Sequence, residues 1–267
     1  MTTTETTTAT AHIQGDLWGA RAPDWAELQE PQSSPLYEHA LRSLDVGQGT
    51  AVLDVGCGSG VFCRLAADAG ARVTGIDAAA TLVEIARERV PDGDFRVGDL
   101  QFLPFADDTV DVVTGFNSFQ YAADPVAALA EAKRVARPGG LVFVLVWGRQ
   151  ERTELAAILR ALRPLLPPAP PDAPGPFALS EAGALEALVA RAGLAPIDDG
   201  YLDTPFEYAD ETSLLRANLA PGPATLAIRT SGEAAVRAAL LEACAPFRNT
   251  HGGYRIETEW RYVVARA

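Results

Sequence analysis

Residues 52–60 read Val-Leu-Asp-Val-Gly-Cys-Gly-Ser-Gly, and this stretch determines how the rest of the sequence is interpreted. The apolar residues predict the end of a buried strand, and the residues after Gly60 have the pattern of a helix. Glycines between a strand and a helix allow a sharp turn and a close approach of the backbone to a ligand. The free N–H groups at the start of the helix also favour a bound ligand. A glycine-rich turn alone is a weak signal, because it also occurs as a purely structural feature.

On both sides of this stretch, from residue 49 to about residue 148, apolar runs alternate with amphipathic segments. Such alternation predicts a parallel α/β sheet in which helices connect the strands. The predicted strands are Ala51–Val55, Arg72–Ile76, Asp94–Val97, Val110–Phe116 and Leu141–Trp147. The predicted helices between them span residues 59–69, 81–90 and 124–137.

Three aspartates accompany the glycine loop, and each lies at or near the end of a predicted strand. Asp77 follows Gly60 by 17 residues, a position from which a carboxylate accepts hydrogen bonds from both hydroxyls of a ribose. Asp99 ends the third strand, where it can meet the edge of an adenine. Asp54 precedes the glycines, and a carboxylate there suits a ligand with an ammonium and a sulfonium group but repels a pyrophosphate.

A dinucleotide cofactor fits this pattern less well. The loop has the form G-x-G-x-G, and Val61 occupies the third glycine position of the dinucleotide fingerprint. Asp54 also stands where dinucleotide folds usually have an apolar residue. An NAD(P)-dependent oxidoreductase is therefore the less favoured interpretation. No compact cluster of Asp, Asn and His is evident in the sequence, so a metal is not expected.

Four motifs together carry a family resemblance: VLDVGCGSG (52–60), VTGID (73–77), VGDLQFLPF (97–105) and RVARPGG (134–140). Over roughly residues 33–148 the sequence resembles the class I S-adenosylmethionine-dependent methyltransferases, in the branch that acts on small molecules. The resemblance implies an α/β fold with a Rossmann-like, doubly wound, seven-stranded sheet, a last strand that is antiparallel, and helical lid insertions. It also implies S-adenosyl-L-methionine as the cofactor and an in-line transfer of its methyl group.

The resemblance further implies a role for each site residue. It assigns the glycine loop to the methionine part of the cofactor, Asp54 to its amino group and Asp77 to the ribose hydroxyls. Asp99 and the backbone of the next residue are assigned to the adenine, and the end of the fourth strand to the cleft beside the methyl donor. The predicted cofactor-binding residues are Asp54, Gly56, Cys57, Gly58, Gly60, Asp77, Ala78, Asp99, Leu100, Phe116 and Asn117.

The remaining sequence is organised around this core. The predicted order is a disordered tail (1–14), an N-terminal lid segment (15–48), the cofactor-binding core (49–150), a lid insertion with a core helix (151–194), a core strand (195–209), a second lid insertion (210–248) and the final core strand (249–267). Ligands of open parallel sheets bind outside the carboxyl ends of the strands. All the extra segments can reach that edge, so we expect one lid and no independent second domain.

The lid segments are apolar and aromatic, which suits a small, partly hydrophobic acceptor enclosed away from water. Because the methyl group is already activated, alignment of the reacting groups can supply much of the acceleration. The candidate bases are His251, before the last strand, and His39, in the lid helix. Relatives often have a histidine just after the fourth strand, where this chain has Gln120. The candidate substrate-binding residues are Trp25, Tyr37, Gln120, Tyr121 and Trp147.

Charge and composition limit the partners. The 267 residues include 35 Asp and Glu against 22 Lys and Arg, a formal net charge of −13. This charge repels phosphate backbones and anionic lipid, so neither nucleic acid nor a membrane surface is an expected partner. The three widely spaced cysteines indicate a reducing, cytoplasmic compartment. A small molecule is the expected partner, and a homodimer is compatible with the sequence.

Other functions stay open at this point. The nearest alternative keeps the cofactor but catalyses a reaction without methyl transfer, such as cyclisation. A non-catalytic binding protein is disfavoured, because the glycine and acid motifs are complete. The acceptor atom can be O, N or C. The arginine- and alanine-rich composition and the proline-interrupted lid favour specialised metabolism in a bacterium.

Overall fold

The computed structural model describes residues 9–170 and 174–267, and its centre is a mixed β-sheet. The strands are β1 (Ala51–Val55), β2 (Arg72–Asp77), β3 (Asp94–Val97), β4 (Val110–Phe116), β5 (Ala136–Trp147), β6 (Ala195–Asp203), β7 (Phe206–Tyr208), β8 (Tyr254–Ile256) and β9 (Glu259–Arg266). Seven of them form the main sheet in the order β3-β2-β1-β4-β5-β9-β6, and β7 pairs with β8. Strands β1 to β5 are parallel, and β9 is antiparallel to both of its neighbours. The predicted seven-stranded Rossmann-like sheet with an antiparallel last strand is confirmed.

Helices cover both faces of this sheet. They are α1 (Ala9–Gly19), α2 (Ala22–Asp24), α3 (Ser34–Ser43), α4 (Val61–Asp68), α5 (Ala80–Arg89), α6 (Pro125–Val135), α7 (Ala156–Leu162), α8 (Ala184–Arg191), α9 (Glu211–Leu219), α10 (Gly222–Ser231) and α11 (Glu233–Cys244). In the part of the chain that the structure describes, no helix is long and apolar enough to cross a bilayer.

The central strands β1, β4 and β9 are buried on both sides, and the sequences of β1 and β4 are accordingly almost continuous apolar runs. Every residue of β1 is buried, including Asp54. On one face, Phe62 of α4 and Phe143 of β5 belong to a core shared with α3, α5 and α7. On the other face, Leu129 of α6 and Leu185 of α8 pack in a second core. The strand order reverses between β1 and β4, so the crevice at this switch point lies at the centre of the molecule.

A helical cover lies over the carboxyl ends of the strands. We define it as α1, α2, the turns Trp25–Ser33 and helices α9 to α11. Within it, α1 packs against α10, and α9 packs against the π-helical turn Trp25–Gln29. An ion pair of 2.7 Å between Arg21 and Glu233 joins the first part of the cover to the last. Segments that are far apart in the sequence thus form one layer.

The disordered tail predicted for residues 1–14 is wrong in its second half. Residues 1–8 lie outside the described residues, and residues 9–14 belong to α1. This helix is held by packing more than by sequence preference: Leu17 is buried, and Gly15 brings the helix backbone against the carbonyl of Ala78. The threonine-rich sequence gives no sign of these distant contacts.

The core strands predicted at 195–209 and 249–267 are each divided in two. After β6 the chain leaves the main sheet at Pro205, because proline has no N–H group for the ladder. Before β9, the Glu257 N–H donates to the carboxylate of Glu154 at 2.7 Å, and this contact separates β8 from β9. Helix α10 is absent from the sequence prediction. The segment Pro221-Gly222-Pro223 indicates a break, but the first turn of a helix accepts proline, and α10 begins there.

Candidate active site

The loop after β1 lies at the switch point of the sheet. Its glycines Gly56, Gly58 and Gly60 have φ values of 82°, 54° and 81°, in the left-handed region that favours glycine. The N–H groups of Gly56 and Cys57 both donate to the carbonyl of Ile76, at 2.8 and 3.0 Å. The loop is therefore a fixed turn between β1 and the start of α4.

Asp54 lies beneath this loop and is almost fully buried. Its Oδ1 accepts a hydrogen bond of 2.7 Å from the hydroxyl of Thr114 on β4, and its Oδ2 lies 3.9 Å from the thiol of Cys63. Burial, together with the nearby carboxylates of Glu30 and Asp77, raises the pKa of Asp54 to about 7. A bound cation would reverse this effect.

Asp77 connects the end of β2 to the glycine loop. Its Oδ2 accepts from the Gly58 N–H at 2.9 Å, and its Oδ1 accepts from the Ala79 N–H at 2.8 Å. Burial raises the pKa of Asp77 to about 6, although the bonds from these N–H groups act in the opposite direction. Each carboxylate oxygen has further acceptor capacity, so the group can still bind hydroxyls.

Asp99 is buried at the end of β3, and its Oδ1 accepts a hydrogen bond of 2.9 Å from the Gln101 N–H. Leu100 is half-buried beside it. Ala78, also half-buried, lies in the turn after β2 under the backbone of α1. Cys57 is buried, and burial raises the pKa of its thiol well above the ordinary value, so the thiol is neutral. Cys57 therefore contributes to the loop through its backbone N–H group.

A residue that the sequence analysis missed completes the loop. Glu30, from the helical cover, is 4% exposed, and its Oε2 accepts from the Ser59 N–H at 2.8 Å and from the indole Nε1 of Trp25 at 2.7 Å. Its Oε1 accepts from the Val61 N–H at 3.0 Å. No short-range pattern joins Glu30 to the loop in the sequence, because the two are brought together only by the fold.

The segment after β4 forms the other wall of the crevice. Asn117 has a left-handed φ of 54°, and its N–H donates to the Leu145 carbonyl at 2.7 Å. Gln120 donates from Nε2 to the Asn117 side chain, while its Oε1 is buried and has no hydrogen-bond partner among the described residues. An unpaired buried acceptor of this kind is costly, which is compatible with a ligand-binding place. Phe116 packs against the buried ring of Tyr37, with ring centres 4.7 Å apart.

The other aromatic candidates divide into two groups. Trp25, itself part of the helical cover, and Tyr121 both contact Trp18 of α1, with ring centres 5.0 and 5.5 Å apart. Burial raises the pKa of Tyr121 to about 12, so this phenol stays protonated at neutral pH. Trp147 instead stacks on Trp260 at 4.3 Å, at the end of β5. The five predicted substrate residues therefore do not form one continuous cluster.

The two candidate bases also lie apart. The ring of His39 packs 4.9 Å from that of Tyr262 on the face of the sheet, and burial together with the charge of Arg42 lowers the pKa of this histidine. His251 lies in an exposed turn, where its backbone N–H donates to the side-chain Oδ1 of Asn249. Neither histidine forms a hydrogen bond with the aspartates around the glycine loop.

The residues around the loop fit S-adenosylmethionine in their chemistry. Glu30, Asp54 and Asp77 form no ion pair with any described residue. These carboxylates therefore lie at the crevice without a cationic side-chain partner in the described part of the chain. A cofactor with an ammonium and a sulfonium group would balance them, whereas a pyrophosphate would be repelled. Glycine is required at position 58, because a Cβ there would press against the carboxylate of Glu30.

Comparisons with known proteins agree with this chemistry. Residues 53–144 match the family model of the methyltransferase domain. The chain is 38% identical over 95 residues to the malonyl-[acyl-carrier protein] O-methyltransferase of Serratia marcescens. This alignment covers 36% of this chain and 37% of that protein. The chain is 33% identical over 118 residues to the ubiquinone biosynthesis O-methyltransferase of Mesorhizobium japonicum, which covers 43% and 47%. The chain thus spans less than half the length of these curated relatives.

A solved structure extends the likeness over nearly the whole chain. The [4+2]-cyclase SpnF aligns with a TM-score of 0.60 and 20% identity, over 99% of this chain and 98% of that one. At this identity the likeness concerns the fold. The strand order and the glycine loop with its aspartates agree with the match of residues 53–144 to the methyltransferase domain, and the chain has the Rossmann-like fold of such domains.

Proposed function

We propose that this chain is an S-adenosylmethionine-dependent methyltransferase that acts on a small, partly hydrophobic molecule. The observation that carries the proposal is the glycine loop at the switch point, bordered by the buried Asp54 and the half-buried Asp77, which have no ion-pair partner among the described residues. When bound, S-adenosylmethionine supplies a methyl group activated by the positive charge of its sulfur. The loop would hold the methionine part, Asp54 the amino group, Asp77 the ribose and Asp99 the adenine.

In this proposal the protein accelerates transfer mainly by alignment and by exclusion of water. The helical cover closes the carboxyl edge, and Phe116 and Asn117 line the crevice beside the methyl donor. The candidate bases are tested by His39→Asn and His251→Asn. Turnover within about threefold of the wild-type rate in both variants would support alignment alone. A loss of about 100-fold in one variant would identify that histidine as a base.

The acceptor is proposed to bind under the helical cover, where Trp25, Tyr37, Gln120 and Tyr121 supply apolar surface and one unpaired acceptor atom. Trp147 would contribute at the end of β5. The relatives named above are O-methyltransferases, and their names support a small-molecule or carrier-bound acceptor. We place the protein in the bacterial cytoplasm, in specialised metabolism, and keep a homodimer as one candidate assembly. The acidic net charge supports a partner other than nucleic acid or membrane.

The alternative is a reaction without methyl transfer, since a protein of the same fold is named as a cyclase. The deciding experiment incubates the chain with S-adenosylmethionine carrying a deuterated methyl group and a set of small aromatic and aliphatic acceptors. Mass spectrometry then follows both products. A labelled methyl group in the acceptor with equimolar S-adenosylhomocysteine is the expected result. Conversion of an acceptor at unchanged mass, without S-adenosylhomocysteine, would contradict methyl transfer and support the alternative.

A further inference from the structure

Glu30 joins the helical cover to the glycine loop. Its two carboxylate oxygens accept hydrogen bonds from the backbone N–H groups of Ser59 and Val61 and from the indole of Trp25. Two of these donors belong to the loop and to the first turn of α4, and the third belongs to the cover itself. The cover therefore cannot lift from the loop without breaking the bonds of Glu30 to Ser59 and Val61.

All the partners of Glu30 are neutral donors. The group is buried, and no ion pair among the described residues includes it. A neutral acceptor would hold the helical cover on the loop equally well and at a lower cost, because a buried charge without an opposite charge is unfavourable. The negative charge of Glu30 thus has no ion-pair partner within the described part of the chain.

The field of Glu30 reaches the other acids of the crevice. It adds to the effect of burial in raising the pKa values of Asp54 and of Asp77. The carboxylate also stands directly over the glycine loop, since a Cβ built on Gly58 would lie 2.8 Å from its Oε2. Glu30 is therefore close enough to the place of the methionine part to act on its charge.

We propose that Glu30 is a positioning residue of the cofactor site, which holds the helical cover on the glycine loop and favours the sulfonium cofactor over its neutral thioether product. The inference rests on the proposed function. S-adenosylmethionine and S-adenosylhomocysteine differ by one methyl group and by the positive charge on sulfur. A negative charge beside the loop stabilises the first more than the second, so loss of the methyl group weakens the contact that keeps the cover closed.

The test is titration calorimetry of the full chain with each of the two ligands. Glu30→Gln keeps the size of the side chain but removes its charge. We expect it to weaken S-adenosylmethionine binding by about tenfold and S-adenosylhomocysteine binding by about threefold, so that the preference for the charged ligand falls. An equal loss for both ligands would overturn the proposal, because a purely structural role affects them alike. Unchanged affinities would overturn it as well.

Two matched controls isolate the charge. Trp25→Phe removes the indole donor but leaves the Glu30 charge in place, and it should change both affinities by the same factor. Glu27→Gln removes a negative charge from the exposed side of the same segment, where Glu27 pairs with Arg216, and should leave the preference unchanged. A shift in preference with Glu27→Gln would contradict a specific role of Glu30.

Thermal unfolding shows whether each variant is folded. If Glu30→Gln is not, Glu30→Asp replaces it: the shorter side chain keeps the charge but stretches the hydrogen bonds. We expect weaker binding of both ligands with the preference retained, and a lost preference would overturn the proposal. A wild-type chain that binds neither ligand would instead contradict the proposed function, and the two failures are thereby distinguished.

Discussion

At the scale of single residues, the charge of Asp54 is opposed by its own burial. A carboxyl group with a pKa raised to about 7 binds its proton more tightly in the folded chain than in the unfolded chain, where the ordinary value is 3.8. The group therefore lowers stability as the pH rises from about 4 to about 7. The protein keeps a destabilising charge at a place where a cationic ligand would use it, which is typical of functional sites.

Asp54→Asn should consequently stabilise the ligand-free protein at pH 8, by an amount on the order of 4 kcal/mol. The asparagine oxygen can still accept from Thr114, so the packing is retained. The advantage should shrink as the pH falls towards 4, because the wild-type carboxyl group is then neutral as well. Urea unfolding at pH 8 and pH 5 measures both effects. An asparagine variant that is less stable than wild type at pH 8 would contradict this account of Asp54.

Gly58 gives a second prediction, because its position is crowded as well as left-handed. A Cβ there would lie 2.8 Å from Glu30 Oε2, so Gly58→Ala must displace the carboxylate. Gly49→Ala is the matched control, since Gly49 has a φ of 79° and no atom within 4 Å of its Cβ position. Both variants carry the cost of a left-handed alanine, about 1–2 kcal/mol. We expect Gly58→Ala to be less stable than the control by a further 1–2 kcal/mol or so, as overpacking predicts. Equal unfolding free energies would show that Glu30 moves aside without cost.

At the scale of elements, the sequence predicts the parallel half of the sheet well, and for a physical reason. Strands β1 and β4 and the second half of β5 are largely buried on both faces, so their sequences are mainly apolar, and Gly, Asp and Pro mark the turns around them. The later elements are harder, because their limits depend on partners elsewhere in the chain. Pro205 ends β6, and Glu154 separates β8 from β9 through a contact over about a hundred residues.

The start of helix α6 can be predicted from the local sequence alone. Asp124 accepts hydrogen bonds from the Val126 and Ala127 N–H groups at 2.9 and 3.1 Å, as an N-cap does, and Pro125 follows it. We expect Asp124→Ala to lower the free energy of unfolding by about 1 kcal/mol. Asp124→Asn should lower it much less, because asparagine is also a good N-cap. Chemical denaturation of the two variants measures the difference. If the alanine and asparagine variants were equally stable, the side-chain cap would have no role in α6.

At the scale of the whole molecule, the site combines residues from one continuous stretch of sequence with residues from both ends of the chain. The glycine loop and the three aspartates lie within one continuous stretch, so motif spacing locates them from the sequence. The helical cover is assembled from both ends of the chain, and its contacts follow no local pattern. This is why the sequence analysis assigned Trp25 to the acceptor but missed Glu30, which accepts a hydrogen bond from the Trp25 indole. It is also why the sequence of residues 9–14 predicts a disordered tail although the structure has a helix there.

We propose that the crevice binds S-adenosylmethionine and does not bind a nicotinamide dinucleotide. Titration calorimetry of the full chain with S-adenosylmethionine, NAD and NADP tests it most directly. The account predicts binding of one S-adenosylmethionine per chain and no heat with NAD or NADP. Asp77→Asn should weaken that binding by at least about tenfold, through loss of charge-assisted hydrogen bonds to the ribose. The exposed control Asp203→Asn should leave it unchanged. Binding of NAD or NADP, with no heat from S-adenosylmethionine, would contradict the account.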